Sequence, residues 1–247
     1  MALSEYRTAL VTGASSGVGA SCVRLIRNKG LDVIALARRE DRLAELAKST
    51  GCRTLALDLT DTDAIYSELP HLDADILINN AGLGRGYEGF MHSTPAEIDE
   101  MVDLNVSAAF HTTRAIGEGM VERKRGHIVQ IGSVAALYPL GLPVYGGTKG
   151  AIHSFAQHFR MELSGTGVRH TEICPGRIAT EFFDAAFKTN EERESFMTGY
   201  TPLTPDDVAN TVIYALDTPW HVNISTIELT PVEQAPGGAI IKAARNS

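Results

Sequence analysis

Tyr145 and Lys149 stand four residues apart in the stretch Tyr-Gly-Gly-Thr-Lys, and their chemistry can be read directly. On a helix, positions i and i+4 share one face, so an ammonium would lie close to a phenol. A phenol titrates near ~10 in water, and a neighbouring cation stabilises the phenolate and draws that value down. A proton donor or acceptor usable near neutral pH would result. Such spacing occurs on many solvated helices, so the pair gains meaning only from its surroundings.

Those surroundings begin at the N-terminus. Arg7–Thr12 reads as a short buried strand, apolar and β-branched, and it runs straight into Gly13-Ala-Ser-Ser-Gly17-Val18-Gly19. The apolar positions of the following Ala20–Ile26 suit a helix. Strand, glycine turn and helix make the opening unit of a dinucleotide-binding fold. Glycines let the backbone approach a pyrophosphate, and the helix N-terminus offers free N–H groups and a positive dipole end. A helix cap with close packing is the plainer reading of the same glycines.

The elements that must position these groups alternate along the chain. Strand-like runs fall at Asp32–Ala37, Arg53–Leu57, Asp75–Ile78, His127–Ile131, Val168–Cys174 and Ile224–Leu229. Helical segments fall near Asp41–Lys48, Asp61–Leu69, Pro95–Glu122, Val144–Leu163 and Pro205–Leu216. This alternation predicts a parallel sheet with helices on both faces. No linker, repeat or low-complexity tract divides the 247 residues, so a single domain is expected. Two stretches break the rhythm. Residues 176–201 are expected to form a substrate lid, and the tail 230–247, with Pro231, Pro236, Gly237 and Gly238, an irregular segment that makes a subunit contact or is disordered.

Composition narrows the partners. A net charge of −8 without a basic stripe argues against nucleic acid. No apolar run approaches the ~18 residues of a membrane span, and without a charged-then-apolar stretch at the N-terminus secretion is not expected. Cys22, Cys52 and Cys174 are widely spaced and odd in number, as expected of free thiols in a reducing cytoplasm. Eight histidines without ligand spacing give no expectation of a metal site.

The motifs Thr12-Gly13-x-x-x-Gly17-x-Gly19, Asn79-Asn80-Ala81-Gly82, Asn105, Ser133, Tyr145-x-x-x-Lys149 and Pro175-Gly176 occur in one order over nearly the whole chain. They resemble the short-chain dehydrogenase/reductase family. The resemblance implies a Rossmann-like, doubly wound sheet of seven parallel strands, NAD(P) as cofactor and a homo-oligomer, with a tetramer favoured. It further implies that Ser133 holds a substrate oxygen while Tyr145 passes the proton. Lys149 would tune the tyrosine and hydrogen-bond the nicotinamide ribose, and Asn105 would hold a water joining Lys149 to solvent. Asn80, Ala81 and Gly82 would lie along the cofactor, Asp58 and Leu59 against adenine, and Pro175, Gly176, Ile178 and Thr180 around the nicotinamide.

Arg38 and Arg39 bear on which cofactor. They follow the second strand, where an acidic side chain would bind the ribose 2′-hydroxyl of NAD and arginine would accept a 2′-phosphate. The guanidinium fork suits phosphate, and Ser15 and Ser16 are compatible further donors, so NADP is expected. A solvated basic turn is the alternative.

The stretch Thr218–Val232, with Gly126–Ser133 and Thr180-Glu-Phe182, resembles bacterial NADP-dependent 3-hydroxy acid dehydrogenases. The implied substrates are small 3-hydroxy acids, or hydroxy-sulfonates as in sulfoacetaldehyde reductases. An anion needs an anchor, and Arg85, Arg177 and Tyr138 are candidates. A neutral, bulkier ketone handled by the same chemistry is the second expectation. A catalytically silent NADP-binding protein is the third, and the presence of Ser133, Tyr145 and Lys149 speaks against it.

Overall fold

Seven strands pair side by side in the computed structural model, which describes residues 2–86, 89–183, 189, 191 and 198–235. They are β1 (Thr8–Thr12), β2 (Asp32–Ala37), β3 (Arg53–Ala56), β4 (Ile76–Asn79), β5 (Gly126–Ile131), β6 (Val168–Pro175) and β7 (Thr226–Leu229). The order is β3-β2-β1-β4-β5-β6-β7 and every pairing is parallel. Between them run α1 (Gly17–Asn28), α2 (Glu40–Thr50), α3 (Thr62–Glu68), α4 (Pro95–Val102), α5 (Ala108–Glu122), α6 (Pro143–Glu162) and α7 (Pro205–Leu216). The Rossmann-like doubly wound sheet is the one expected.

Period-two alternation divides the core between two faces. Ala9, Val11, Val33 and Ala35 join the layer containing Val23 of α1 and Val212 of α7, while Leu10, Ile34 and Leu36 join the layer containing Ile116 of α5. The chain leaves β1 in one direction towards β2 and β3, and later returns on its other side as β4. At that switch point the crossing loops diverge and a crevice opens beyond the strand ends.

Two elements depart from expectation. The helix expected over Pro95–Glu122 is interrupted by a π-helical turn at Asp103–Ser107. Asn105 sits at its middle and is 2 % exposed, and the widened turn aims its amide at the loop after β4. The last strand begins at Thr226, two residues later than read, because Asn223 and the Ile224 carbonyl are taken by side-chain bonds with β6.

The apolar reading of β6 holds for its burial and not for its chemistry. The strand is buried throughout, yet carries Arg169, His170 and Glu172. The two Nη atoms of Arg169 donate to the carbonyls of Leu216, Thr218 and Val222 and the hydroxyls of Thr218 and Tyr6, while its buried Nε has no partner among the described residues. The guanidinium also lies against the rings of Tyr6 and Trp220. Cys22, Cys52 and Cys174 are free and buried. Among the described residues no helix is long and apolar enough to cross a membrane.

Candidate active site

The glycine turn is built by close packing. Gly13 and Gly17 have φ of 62° and 53°, which L side chains adopt only under strain. A Cβ on Gly13 would come within 2.9 Å of the Ala81 backbone. Gly19 faces the Gly13 carbonyl and the Asn80 amide, so it packs the turn without lining the crevice. Thr12 Oγ1 accepts from the backbone N–H groups of Asn80 and Ala81, both at 3.0 Å. Asn80 Nδ2 in turn donates to the carbonyls of Thr12 and Gly13. The β1 and β4 loops are thus stitched together under the N-terminus of α1.

Beside that N-terminus lies a cationic rim. Arg39 donates through Nε and Nη2 to Ser15 Oγ at 3.1 and 2.9 Å, and through Nη2 to Ser16 Oγ at 2.9 Å. Arg38 stands 3.6 Å from Asp58. Glu181 pairs with Arg42 at 2.6 Å and Arg39 at 3.7 Å. Two serines, two arginines and a helix N-terminus around a turn where Gly13 and Gly19 leave no room for a Cβ fit the phosphates of a dinucleotide, including one on the adenosine ribose.

The reacting groups converge at the next strand end. Ser133 follows β5, and its Oγ accepts from Ala135 N at 3.1 Å and borders the Tyr145 phenol. Lys149 lies one turn along α6, but its Nζ donates to the Ile131 carbonyl at 2.9 Å and stands 5.9 Å from the Tyr145 ring centre. The expected lowering of the phenol pKa is therefore overturned. Burial pushes Tyr145 up to about 12, with Ser133 acting in the opposite direction. Burial also draws Lys149 down to about 8, against the fields of Cys174 and Glu172.

Asn105 joins two elements through its amide. Its Oδ1 accepts from Leu83 N and its Nδ2 donates to Leu83 O, each at 2.8 Å, with a further bond to Thr148 Oγ1 at 3.1 Å. The side chain clamps the β4 loop to α6.

A cavity of about 560 Å³ connects the rim to Tyr145. Of the residues singled out by sequence, Gly13, Ser15, Ser16, Gly17, Val18, Arg38, Arg39, Asp58 and Leu59 line one part. Asn80, Ala81, Gly82, Ser133, Tyr145, Lys149, Pro175, Gly176, Ile178 and Thr180 line the rest. Arg85 and Arg177 border it too, Arg85 within 3.3 Å of Glu100 and Arg177 over the Tyr200 ring at 5.2 Å.

Tyr138 does not line the cavity. It turns outward and donates to Glu228 at 3.0 Å, because three helical residues after Ser133 rotate it away.

Sequence reasoning missed Leu140, Leu142, Phe182 and Gln234. Phe182 packs on Tyr145 with ring centres 5.7 Å apart. Gln234, from the tail, accepts from Arg177 N at 2.9 Å through Oε1, and its side chain covers Gly176. Apolar or amide residues in loops carry no chemical signature, so only three dimensions reveal them. The expected lid is anchored where Leu203 bridges Ile178, accepting from Ala179 N and donating to the Arg177 carbonyl. Its residues 184–188, 190 and 192–197, and the tail from 236 onward, lie outside the described residues.

Comparison with known proteins follows this geometry. The short chain dehydrogenase family model matches residues 7–191. The NADP-dependent 3-hydroxy acid dehydrogenase YdfG of Escherichia coli is 40% identical over 239 residues, covering 93% of this chain and 96% of its own. The serine 3-dehydrogenase of Agrobacterium fabrum is 39% identical over 240 residues, covering 94% and 96%. A closed serine dehydrogenase solved in complex with NADP+ superposes with a TM-score of 0.89 at 38% identity, over 97% of this chain and all of that one.

Proposed function

Because the chain belongs to the short-chain dehydrogenase/reductase family, we propose that it is an NADP-dependent oxidoreductase interconverting a small 3-hydroxy acid, or hydroxy-sulfonate, and its carbonyl form. The observation that carries this reading is the convergence of Ser133, Tyr145 and Lys149 on one cavity with the Arg39–Ser15–Ser16 rim. The relatives named as 3-hydroxy acid and serine dehydrogenases support the substrate class.

NADP, when bound, would supply or accept the hydride. Gly13, Ser15, Ser16 and Val18 would hold its phosphates, with Arg39 and Arg38 on the 2′-phosphate. Ser133 holds the substrate oxygen by hydrogen bond. Tyr145, protonated because its phenol is buried, donates the proton to that oxygen during reduction and recovers it during oxidation. Lys149, as an ammonium held on the Ile131 carbonyl, steadies the phenolate that forms and reaches the nicotinamide ribose. Phe182, Leu140 and Leu142 exclude water from this transfer.

The carboxylate needs a cation. Arg85 and Arg177 both border the cavity, and Arg177, which directly follows Gly176 at the end of β6, is the anchor of this reading. The apolar wall of Phe182, Leu140 and Leu142 is the observation that favours the second reading, a neutral and bulkier ketone. A homotetramer in the cytoplasm is part of the same proposal. Met161 and Tyr214, 76 % and 64 % exposed, support burial against further copies, and three free cysteines support a reducing compartment.

The test is Tyr145→Phe assayed with NADP and L-serine, L-allo-threonine, 3-hydroxypropionate and isethionate. Wild-type turnover of at least one, falling about a thousandfold in the variant with NADP binding retained, is the expected result. Equal turnover by the variant would remove Tyr145 from the chemistry.

A further inference from the structure

The ladder between β6 and β7 closes where Gly176 N donates to the Leu229 carbonyl at 2.7 Å. Arg177 N–H is the next peptide donor along the chain, and a side chain from the tail serves it. Gln234 Oε1 accepts from it at 2.9 Å. A peptide N–H only donates, so the amide atom facing it must be the oxygen.

The tail reaches that point by turning back on itself. Gln234 N donates to the Pro231 carbonyl at 3.0 Å, closing a turn in which Val232 is 91 % exposed and Gln234 only 4 %. Within two residues the chain passes from solvent to the cavity wall. Gly176 is the position the amide covers, and a Cβ there would collide with Gln234 Oε1. Only glycine lets the tail lie so close to the end of β6.

The Arg177 carbonyl is held as well, by Leu203 N at 3.0 Å. Gln234 and Leu203 thus fix the peptide groups on either side of one Cα, and the rotamers open to its side chain follow from that backbone. The guanidinium lies over the Tyr200 ring at 5.2 Å, with the residue bordering the cavity. The choice of an amide at 234 is informative. A carboxylate would accept from Arg177 N–H at least as well, but would set a negative charge on the wall of a cavity that is to admit an anion. Glutamine accepts without that charge.

We propose that Gln234 is a positioning residue for anion recognition: its amide fixes the Arg177 peptide, so that the tail after β7 sets the KM for an anionic substrate. The assignment rests on Arg177 as the anchor in the function proposed above.

The test is a double-mutant cycle between Gln234→Met and Arg177→Ala. Rates with NADP are measured for 3-hydroxypropionate, L-serine and isethionate beside a neutral secondary alcohol. Methionine keeps the length of glutamine and removes the acceptor. The ratio of kcat/KM for the anion to that for the alcohol should fall about fivefold, the size of a hydrogen bond, with the fall carried by KM for the anion. In the Arg177→Ala background the same substitution should change the ratio less than about twofold, since the side chain it positions is gone. Hydrogen exchange in the NADP-bound enzyme gives a readout independent of turnover. The Arg177 amide should exchange about fivefold faster in Gln234→Met, and at the wild-type rate in Gln234→Glu, which still accepts. Gln234→Asn, a methylene too short, takes the place of the methionine variant if that does not fold. Losses that multiply in the cycle, an equal loss for the alcohol, or unchanged exchange at Arg177 would overturn the proposal. If no anion turns over, or Arg177→Ala leaves the ratio unmoved, the anchor reading fails instead, and exchange at Arg177 still judges the hold of Gln234 on the turn.

Discussion

At the scale of single residues, burial decides what proximity was expected to decide. Tyr145 and Lys149 stand four apart as the sequence reading requires, but desolvation moves their pKa values in opposite directions, to about 12 and about 8. A lysine is charged below its pKa and loses that charge as pH rises through it. In the reducing direction kcat/KM should therefore stay level through neutral pH and fall above about 8, as initial rates of NADPH oxidation between pH 6 and 10 would reveal. The cofactor rim makes a sharper demand. Arg39→Ala removes paired charge-assisted donors worth about 1.5–3 kcal/mol, so the Kd for NADP should rise about tenfold or more while that for NAD barely moves. An equal loss for both cofactors in a fluorescence titration would deny the 2′-phosphate role. Residue types such as tyrosine, lysine, arginine and glycine advertised these roles in the sequence. Gln234 and Phe182 did not, since an amide or a ring in a loop is chemically silent until folding sets it against Gly176 or Tyr145.

Elements were legible where period and punctuation agree. The bounds of β2 and α7 fall where read, at Asp32–Ala37 and Pro205–Leu216, the latter marked by Thr204 and Asp207 capping each other. The π turn at Asp103–Ser107 was not legible, because apolar spacing continues across it and the cause is a tertiary bond from Asn105 to Leu83. Asn105→Ala should cost about 1–3 kcal/mol of stability through the donors and acceptors it strands. It should also lower kcat, since the clamp fixes α6 against the β4 loop. Thermal melts beside steady-state rates would separate the two effects. In β6 the charges were visible and their burial was not. Arg169→Ala leaves five acceptor contacts unserved at a buried site, and a loss of about 3 kcal/mol or more in urea unfolding is expected. A change under 1 kcal/mol would mean water can replace the guanidinium there.

For the whole molecule, strand order explains why distant motifs meet. The glycine turn after β1, the asparagine turn after β4, Ser133 after β5 and Pro175 at the end of β6 all face the same edge, because every strand runs the same way. Alternation of strands and helices made this arrangement readable in advance. What the 560 Å³ cavity accepts was not readable, since its end is walled by Leu140, Leu142 and Phe182 and by the returning tail at Gln234. The account therefore stands most directly on one comparison. Initial rates of NADP reduction would be measured for 3-hydroxypropionate, L-serine and isethionate beside a neutral secondary alcohol, in the wild type and in Arg177→Ala. The account predicts turnover of an anion, with KM raised at least about tenfold in the variant, as expected for a charged contact, and no comparable change for the alcohol. Silence on every anion with brisk oxidation of the neutral alcohol would contradict it.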